Sequence, residues 1–235
     1  MVTERIRVLP CASVALWLLL FGCSQQTRRP DPPPASPRAA VTDSAPAPDE
    51  PTIVILGTSL TAGLGLDPDQ AYPAALQRII DSAGYHYHVV NAGVSGESSA
   101  GALRRIGWVL SRPPAVLILE TGANDGLRGQ SPDSLRQNLR EMVDSARRLA
   151  PDATLILAGM EALPNLGPDY ARRFHEVFPS VARADRLPLI PFLLQDVAGV
   201  DTLNQPDGIH PNAVGARIVA RNVWLVLQPL LRRDQ

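Results

Sequence analysis

Ile53-Val54-Ile55-Leu56-Gly57-Thr58-Ser59-Leu60-Thr61-Ala62-Gly63 is an apolar run that stops at a small-residue turn, and a serine stands at that turn. A short, continuous apolar run bounded by turn residues fits a strand buried on both faces. In an open α/β sheet, ligands bind in the crevice outside the carboxyl ends of the strands. A serine placed there faces a cleft and lies beside the positive end of any helix that follows. Taken alone, Ser59 is an ordinary turn former. Its meaning depends on what else the chain brings to the same edge.

Downstream, strands and helices alternate. Tyr72, Leu76, Ile79 and Ile80 follow helical spacing, and Gly84 suits a helix stop. Tyr87–Val90 reads as a second strand ending at Asn91-Ala92-Gly93, and Ser98–Leu110 as a helix. Ala115–Glu120 is a third strand, followed by the polar turn Thr121-Gly122-Ala123-Asn124-Asp125-Gly126. Ser131 is placed as an N-cap with Pro132 at the first helical position. Behind it, Leu135, Leu139, Met142, Val143, Ala146 and Leu149 form an apolar stripe. Thr154–Ala158 is a fourth strand. Tyr170, Phe174, Val177, Phe178 and Val181 mark a helix that Pro179 is expected to kink or divide. Leu187–Leu193 is a fifth strand whose two prolines predict an edge position. Asp207-Gly208-Ile209-His210-Pro211 precedes a last helix running to about Leu230. Such alternation predicts an α/β fold, a parallel sheet with helices on both faces.

The chain has 235 residues, 45% hydrophobic and 19% charged, with a net charge of −1. This allows one compact domain plus appendages and provides no basic stripe for nucleic acid. Residues 1–22 have the form of an export signal: Arg5 and Arg7 precede an apolar stretch, Val14–Phe21, too short to span a bilayer. Leu20-Phe21-Gly22-Cys23 resembles the lipobox of bacterial lipoproteins, which implies cleavage before Cys23, lipidation of that cysteine and anchoring in the cell envelope. A plain secretory signal is the alternative. Multiple acyl chains hold a protein stably at a membrane, and Ser24 fits outer-membrane sorting. Residues 23–51 continue as a Pro/Ala-rich tether without apolar periodicity, expected to be disordered. The folded domain is expected over 52–235. Of the two cysteines, Cys11 falls within the signal, so the mature domain has no thiol for a disulfide or metal. His86 and His88, on a strand without an acidic or thiol cluster, read as a surface face. Trp108 and Trp224 read as packing residues, and Glu161 and His175 as solvated.

Four polar turns converge on one sheet edge if the doubly wound reading holds: those at Ser59, Gly96, Asn124, and Asp207 with His210. Ester hydrolysis needs an attacking alcohol, a base, an acid that orients the base, and donors for the tetrahedral oxyanion. Ser59, His210 and Asp207 supply the first three in the chain order Ser, Asp, His. The backbone N–H groups of Ser59 and Gly96 and the Asn124 amide supply the fourth.

These blocks are recognisable. Gly57-Thr58-Ser59-Leu60, Ser95-Gly96-Glu97-Ser98, Gly122-Ala123-Asn124-Asp125 and Asp207-Gly208-Ile209-His210 resemble, in order and spacing, the signature blocks of the GDSL, or SGNH, hydrolase family. Val89-Val90-Asn91-Ala92 and Asn124-Asp125-Gly126-Leu127-Arg128-Gly129 resemble its bacterial arylesterase, thioesterase and lysophospholipase branch. The resemblance implies a three-layer α/β/α, flavodoxin-like fold with a five-stranded parallel sheet and no cofactor or metal. It implies Ser59 as nucleophile, His210 as base, Asp207 as its partner, and an oxyanion hole of Ser59, Gly96 and Asn124. It also places substrate-binding loops at Leu127 and Arg128 and at Pro164 and Leu166. The implied partner is a small-molecule or lipid ester, acted on by a monomer.

Two positions depart from the family pattern. Thr58 replaces the aspartate of the first block and is expected to alter support of the turn while sparing the chemistry, since its hydroxyl still hydrogen-bonds. Ala123 replaces a glycine of the third block and is expected to add a methyl near the cleft. A carbohydrate O-acetylesterase of the same fold and a non-catalytic surface-binding lipoprotein share the same motifs.

Overall fold

The computed structural model describes residues 50–233. The signal segment, Cys23 and the tether as far as residue 49 lie outside the described residues. Among the described residues there are five strands: β1 (Thr52–Gly57), β2 (His88–Gly93), β3 (Val116–Glu120), β4 (Thr154–Ala158) and β5 (Leu189–Ile190). The described residues also form seven α-helices: α1 (Ser59–Ala62), α2 (Tyr72–Ser82), α3 (Ser99–Val109), α4 (Ala123–Leu127), α5 (Pro132–Leu149), α6 (Pro168–Asp185) and α7 (Ala213–Leu227).

The sheet is parallel throughout, in the order β2-β1-β3-β4-β5. This is the flavodoxin-like order. Its strand order reverses between β1 and β3, which places the ligand crevice at their carboxyl ends. Parallel strands need helical crossovers, and these cover both faces. On one face α2 packs on α7; on the other α3 packs on α5 and α5 on α6. The central strands are accordingly apolar along their length, with Ile53, Ile55, Leu117, Ile118, Leu119, Ile156 and Leu157 fully buried.

Local chemistry accounts for the helix starts. The Ser131 hydroxyl accepts from the Asp133 N–H at 3.2 Å, with Pro132 following it. The Asn212 side chain caps α7 by accepting from the Val214 and Gly215 N–H groups. The α5 stripe is buried from Leu135 through Ala146. Leu149, its last residue, is 45% exposed, because the helix ends there and Ala150 takes the next buried position.

Other sequence expectations are corrected. The fifth strand is a two-residue edge strand rather than Leu187–Leu193: Pro188 and Pro191 flank Leu189–Ile190, and a proline has no N–H to extend a ladder. Pro179 does not divide α6; the helix continues across it, held by buried Val177, Phe178, Val181 and Ala182 on either side. The turn after β3 contains a short helix, α4. Trp108 is 77% exposed instead of packed, whereas Trp224 does pack, edge-on against Tyr85 at 5.7 Å.

Candidate active site

β1 ends at Gly57, and α1 begins two residues later at Ser59. The turn is tight because α1 folds back onto the strand end. A Cβ on Gly57 would stand 2.0 Å from Thr61 Oγ1, so only glycine fits there. Ser59 is 9% exposed and is the first residue of α1, where a backbone N–H has no preceding carbonyl within the helix.

Ser59 Oγ lies 2.9 Å from His210 Nε2. His210 Nδ1 lies 2.7 Å from Asp207 Oδ2. The three side chains are therefore joined in series across 151 residues of sequence. The loop carrying the last two is closed on itself: the Gln205 N–H donates to His210 O at 2.7 Å and the Gly208 N–H to Gln205 O at 2.9 Å. The Gln205 amide then donates to Leu64 O at 2.7 Å and Pro211 O at 3.0 Å, tying this loop to the chain just beyond the serine turn.

Asp207 Oδ1 accepts from the backbone N–H groups of His210 at 3.0 Å and Ile209 at 2.9 Å. These two donors, that of His210 first, hold its carboxyl at about 2, below the ordinary 3.8, against an opposing effect of burial; the imidazole adds to the lowering. A carboxylate held below its unfolded value contributes stability above pH 3.8, and that contribution is lost as pH falls through about 2. Asp207 therefore remains an acceptor for Nδ1–H, which leaves Nε2 with its lone pair toward the serine hydroxyl. In a carbon-detected NMR titration, the Asp207 carboxyl should still show its ionised shift at pH 3.8. Half-protonation at that pH would contradict the geometry.

Three donor groups sit on the turns after β1, β2 and β3. Besides the Ser59 N–H, they are the Gly96 N–H and the Asn124 amide. Gly96 has φ +78°, a left-handed conformation that glycine adopts without penalty. Asn124 lies in the first turn of α4 and is 8% exposed; its amide donates to Glu97 O at 3.1 Å. An amide nitrogen carries two hydrogens, so the second is free for a ligand. The expected substrate loops also meet. Arg128 donates from Nη2 to Gly96 O at 2.8 Å. The Leu166 methyls come within 3.6 Å of where a Gly129 Cβ would stand, so the Leu127–Gly129 loop touches the 3-10 turn Pro164–Leu166. Glu161 and His175 are exposed, as expected, and pair with each other at 2.6 Å.

Sequence reasoning missed the support beneath the serine. Glu120, the last residue of β3, is fully buried. Its carboxylate accepts from the Thr58 N–H at 2.8 Å, the Thr58 hydroxyl at 2.9 Å and the Thr61 hydroxyl at 2.7 Å. Thr61 is in turn 2.7 Å from the Tyr72 hydroxyl. Burial raises the Glu120 carboxyl above its ordinary range, opposed by these donors, and raises Tyr72 well above its own. A single acid ending an otherwise apolar strand, Val116-Leu117-Ile118-Leu119-Glu120, was the available signal. Thr58 does hydrogen-bond, as expected, and its partner is this distant strand end. Ala123 packs partly buried against the hydrophobic core.

A three-layer parallel sheet with serine, histidine and aspartate in series at its carboxyl edge has the form of a serine hydrolase. Residues 55–218 match the GDSL-like Lipase/Acylhydrolase family, and the chain belongs to that family. It is 43% identical over 181 residues to Esterase TesA of Pseudomonas aeruginosa, a match covering 77% of this chain and 89% of that protein. It is 34% identical over 184 residues to Thioesterase 1/protease 1/lysophospholipase L1 of Escherichia coli K12, covering 78% of this chain and 86% of that one. Among solved structures, the psychrotrophic esterase EstA from Pseudoalteromonas sp., inhibited by monoethylphosphonate, superposes with a TM-score of 0.72 at 31% identity. That superposition covers 77% of this chain and 98% of EstA. The fold and these relatives define an enzyme, a serine ester hydrolase of the SGNH fold.

Proposed function

We propose that Ser59 is the nucleophile that carries carboxylic ester hydrolysis through an acyl-enzyme. The observation that carries this reading is the unbroken series Ser59 Oγ, His210 Nε2, His210 Nδ1, Asp207 Oδ2, at 2.9 and 2.7 Å. His210 Nε2 takes the Ser59 proton as Oγ bonds to the acyl carbon. The carbonyl π electrons move to oxygen, and the Ser59 N–H, the Gly96 N–H and the free hydrogen of the Asn124 amide hold that oxyanion. The oxyanion collapses, the bond to the alcohol or thiol breaks, and His210 returns the proton to the leaving atom. Water then gives a proton to His210 and attacks the acyl-serine. Collapse releases the acid and restores the Ser59 hydroxyl with the same proton. Asp207 stays ionised throughout and stabilises the imidazolium at each stage.

The proposed substrates are aryl and acyl esters, with acyl thioesters and lysophospholipids in the same class. Their acyl groups would meet the side chains at the rim, where Leu127 is 42% and Leu166 38% exposed beside Arg128 and Pro164. The relatives named as esterase and as thioesterase and lysophospholipase support that range. The lipobox-like Leu20–Cys23 stretch supports export and anchoring at the envelope through lipidated Cys23, with the tether spacing the domain from the bilayer.

A fluorophosphonate ester tests the site directly. It is expected to label the protein once, on the peptide carrying Ser59, with loss of esterase activity in step with labelling. Label on another residue, or activity surviving complete labelling of Ser59, would overturn the assignment. A series of aryl esters, acyl thioesters and acetylated sugars of graded length then ranks the substrates.

A further inference from the structure

One guanidinium on α3 is joined to both of the strand ends that flank the serine and to the loop that carries an oxyanion donor. Arg105 donates from Nε to Glu97 Oε1 at 2.9 Å and Oε2 at 2.8 Å, and its Nη2 lies 2.7 Å from Glu97 Oε2. The same Nη2 donates to Ala92 O at 2.8 Å and to Gly57 O at 3.1 Å. These carbonyls lie at the carboxyl ends of β2 and β1. The pair is largely shielded from solvent, with side-chain exposures of 17% for Arg105 and 10% for Glu97.

Glu97 occupies a particular place. It follows Gly96, whose N–H is an oxyanion donor in the reading above. Its own carbonyl accepts the Asn124 amide at 3.1 Å. Its side chain therefore anchors to the sheet a residue that touches two of the three donors. Gly57 O is shared in the same way: it accepts the Val94 N–H at 2.9 Å as well as the guanidinium, and Gly57 leads directly into the serine turn. α3 makes room for this arrangement. A Cβ on Gly101 would stand 2.6 Å from Glu97 Cγ, so glycine lets the Glu97 stem lie against the helix. α3 is itself fixed to the third donor's helix, since Asp125 accepts from the Ser99 N–H at 2.8 Å and the Ser99 hydroxyl at 2.5 Å.

We propose that Arg105, through Glu97, is a positioning residue that sets the Gly96 N–H and the Asn124 amide relative to Ser59. The proposal rests on the assignment of those two groups as oxyanion donors. Arginine suits the task where lysine does not. A planar fork of donors engages a carboxylate and two carbonyls at once, whereas an ammonium is a single point on a flexible stem. Preorganised donors act on the transition state more than on bound substrate, so their misplacement lowers kcat and leaves KM nearly unchanged.

The test is a double-mutant cycle on the full chain with an aryl ester. Arg105→Lys keeps the charge, and Glu97→Gln keeps the backbone carbonyl and the side-chain shape. Either change is expected to lower kcat about ten- to a hundredfold with KM within about twofold, since misplacement by an ångström has effects of that order. In an Asn124→Ala background, the further loss on adding Arg105→Lys should shrink to about threefold or less, because groups acting through one another are not additive. Thermal melting identifies any variant that fails to fold, in which case the other variant carries the cycle. Full additivity, with Asn124→Ala impaired on its own, overturns the role of Arg105 and leaves the oxyanion assignment standing. An Asn124→Ala enzyme of wild-type kcat overturns both. A matching rise in KM with unchanged kcat also overturns the proposal.

Discussion

Replacing Ser59 with alanine is expected to lower kcat by a factor on the order of 10⁶, leaving about 10³–10⁴ over the uncatalysed rate from binding and the remaining donors. The size follows from the geometry. Ser59 Oγ is the side-chain atom facing His210 Nε2 at 2.9 Å, and an alanine leaves the imidazole facing nothing it can deprotonate in the same position. The fold should tolerate the change. The alanine methyl takes the position of the serine Cβ, and among the described residues the Ser59 side chain makes no hydrogen bond other than that to His210. Thr58 and Thr61 still hold the turn to Glu120. Circular dichroism and the melting temperature should match wild type, and the fluorophosphonate should no longer label the protein. Near-wild-type esterase activity in purified Ser59→Ala would remove Ser59 from the chemistry.

Much of this was legible in the sequence because the informative residues are local. An apolar run ending in Gly57-Thr58-Ser59 announces a buried strand and its turn. Asp207 and His210 lie three residues apart in one closed loop, where a short Asx-type turn brings the carboxylate to the imidazole. The edge position of β5 was likewise carried by its own prolines. What escaped the sequence depends on which strand ends meet. Glu120 is 62 residues from Thr58, and nothing in either segment says that the carboxylate will sit under the serine turn. Arg105 is one of two adjacent arginines on α3, and only the crossing of α3 over the ends of β1 and β2 distinguishes it. Packing also overrode local rules. Pro179 should break a helix, yet Val177, Phe178, Val181 and Ala182 bury enough surface around it to keep α6 whole. Trp108 failed in the opposite direction: a large aromatic is usually buried, but its position on α3 faces solvent.

The exchange of aspartate for Thr58 gains a physical meaning from Glu120. With threonine at this position, the described part of the network under the serine holds one carboxylate, and all the hydroxyls and the N–H facing it can donate. Two carboxylates at that depth would have to share a proton. Threonine leaves Glu120 as the one carboxyl among the described groups beneath the serine turn. Its hydroxyl is then spent on Glu120 and does not cap α1, whose N-cap side chain makes no capping bond. The N–H groups of Leu60 and Thr61, which an N-cap side chain would serve, receive no side-chain acceptor from Thr58.

Asn124→Ala is the second large effect, a loss of about 10²–10³ in kcat, equivalent to about 2.7–4 kcal/mol of transition-state stabilisation. The orientation of the amide is set by its environment. Its nitrogen faces Glu97 O at 3.1 Å, where an amide oxygen would meet another oxygen in repulsion. With one hydrogen used there, the other points away from Glu97 and remains for a ligand. The ground-state carbonyl of an ester has little charge for it to stabilise, and the tetrahedral oxyanion has a full one. The loss should therefore fall on kcat, with KM nearly unchanged. The cost to the fold is small by comparison, about 1 kcal/mol for one hydrogen bond to a backbone carbonyl. Ser59 and His210 keep their contact in this variant, so fluorophosphonate should still find Ser59, at a rate reduced in proportion to kcat. Asn124→Asp separates charge from shape: its carboxylate is isosteric with the amide but presents negative charge and no donor. It should be at least as impaired as alanine. Steady-state kinetics of both variants beside a thermal melt make the measurement. An alanine variant that raised KM and spared kcat would place Asn124 in substrate binding instead of in the oxyanion hole.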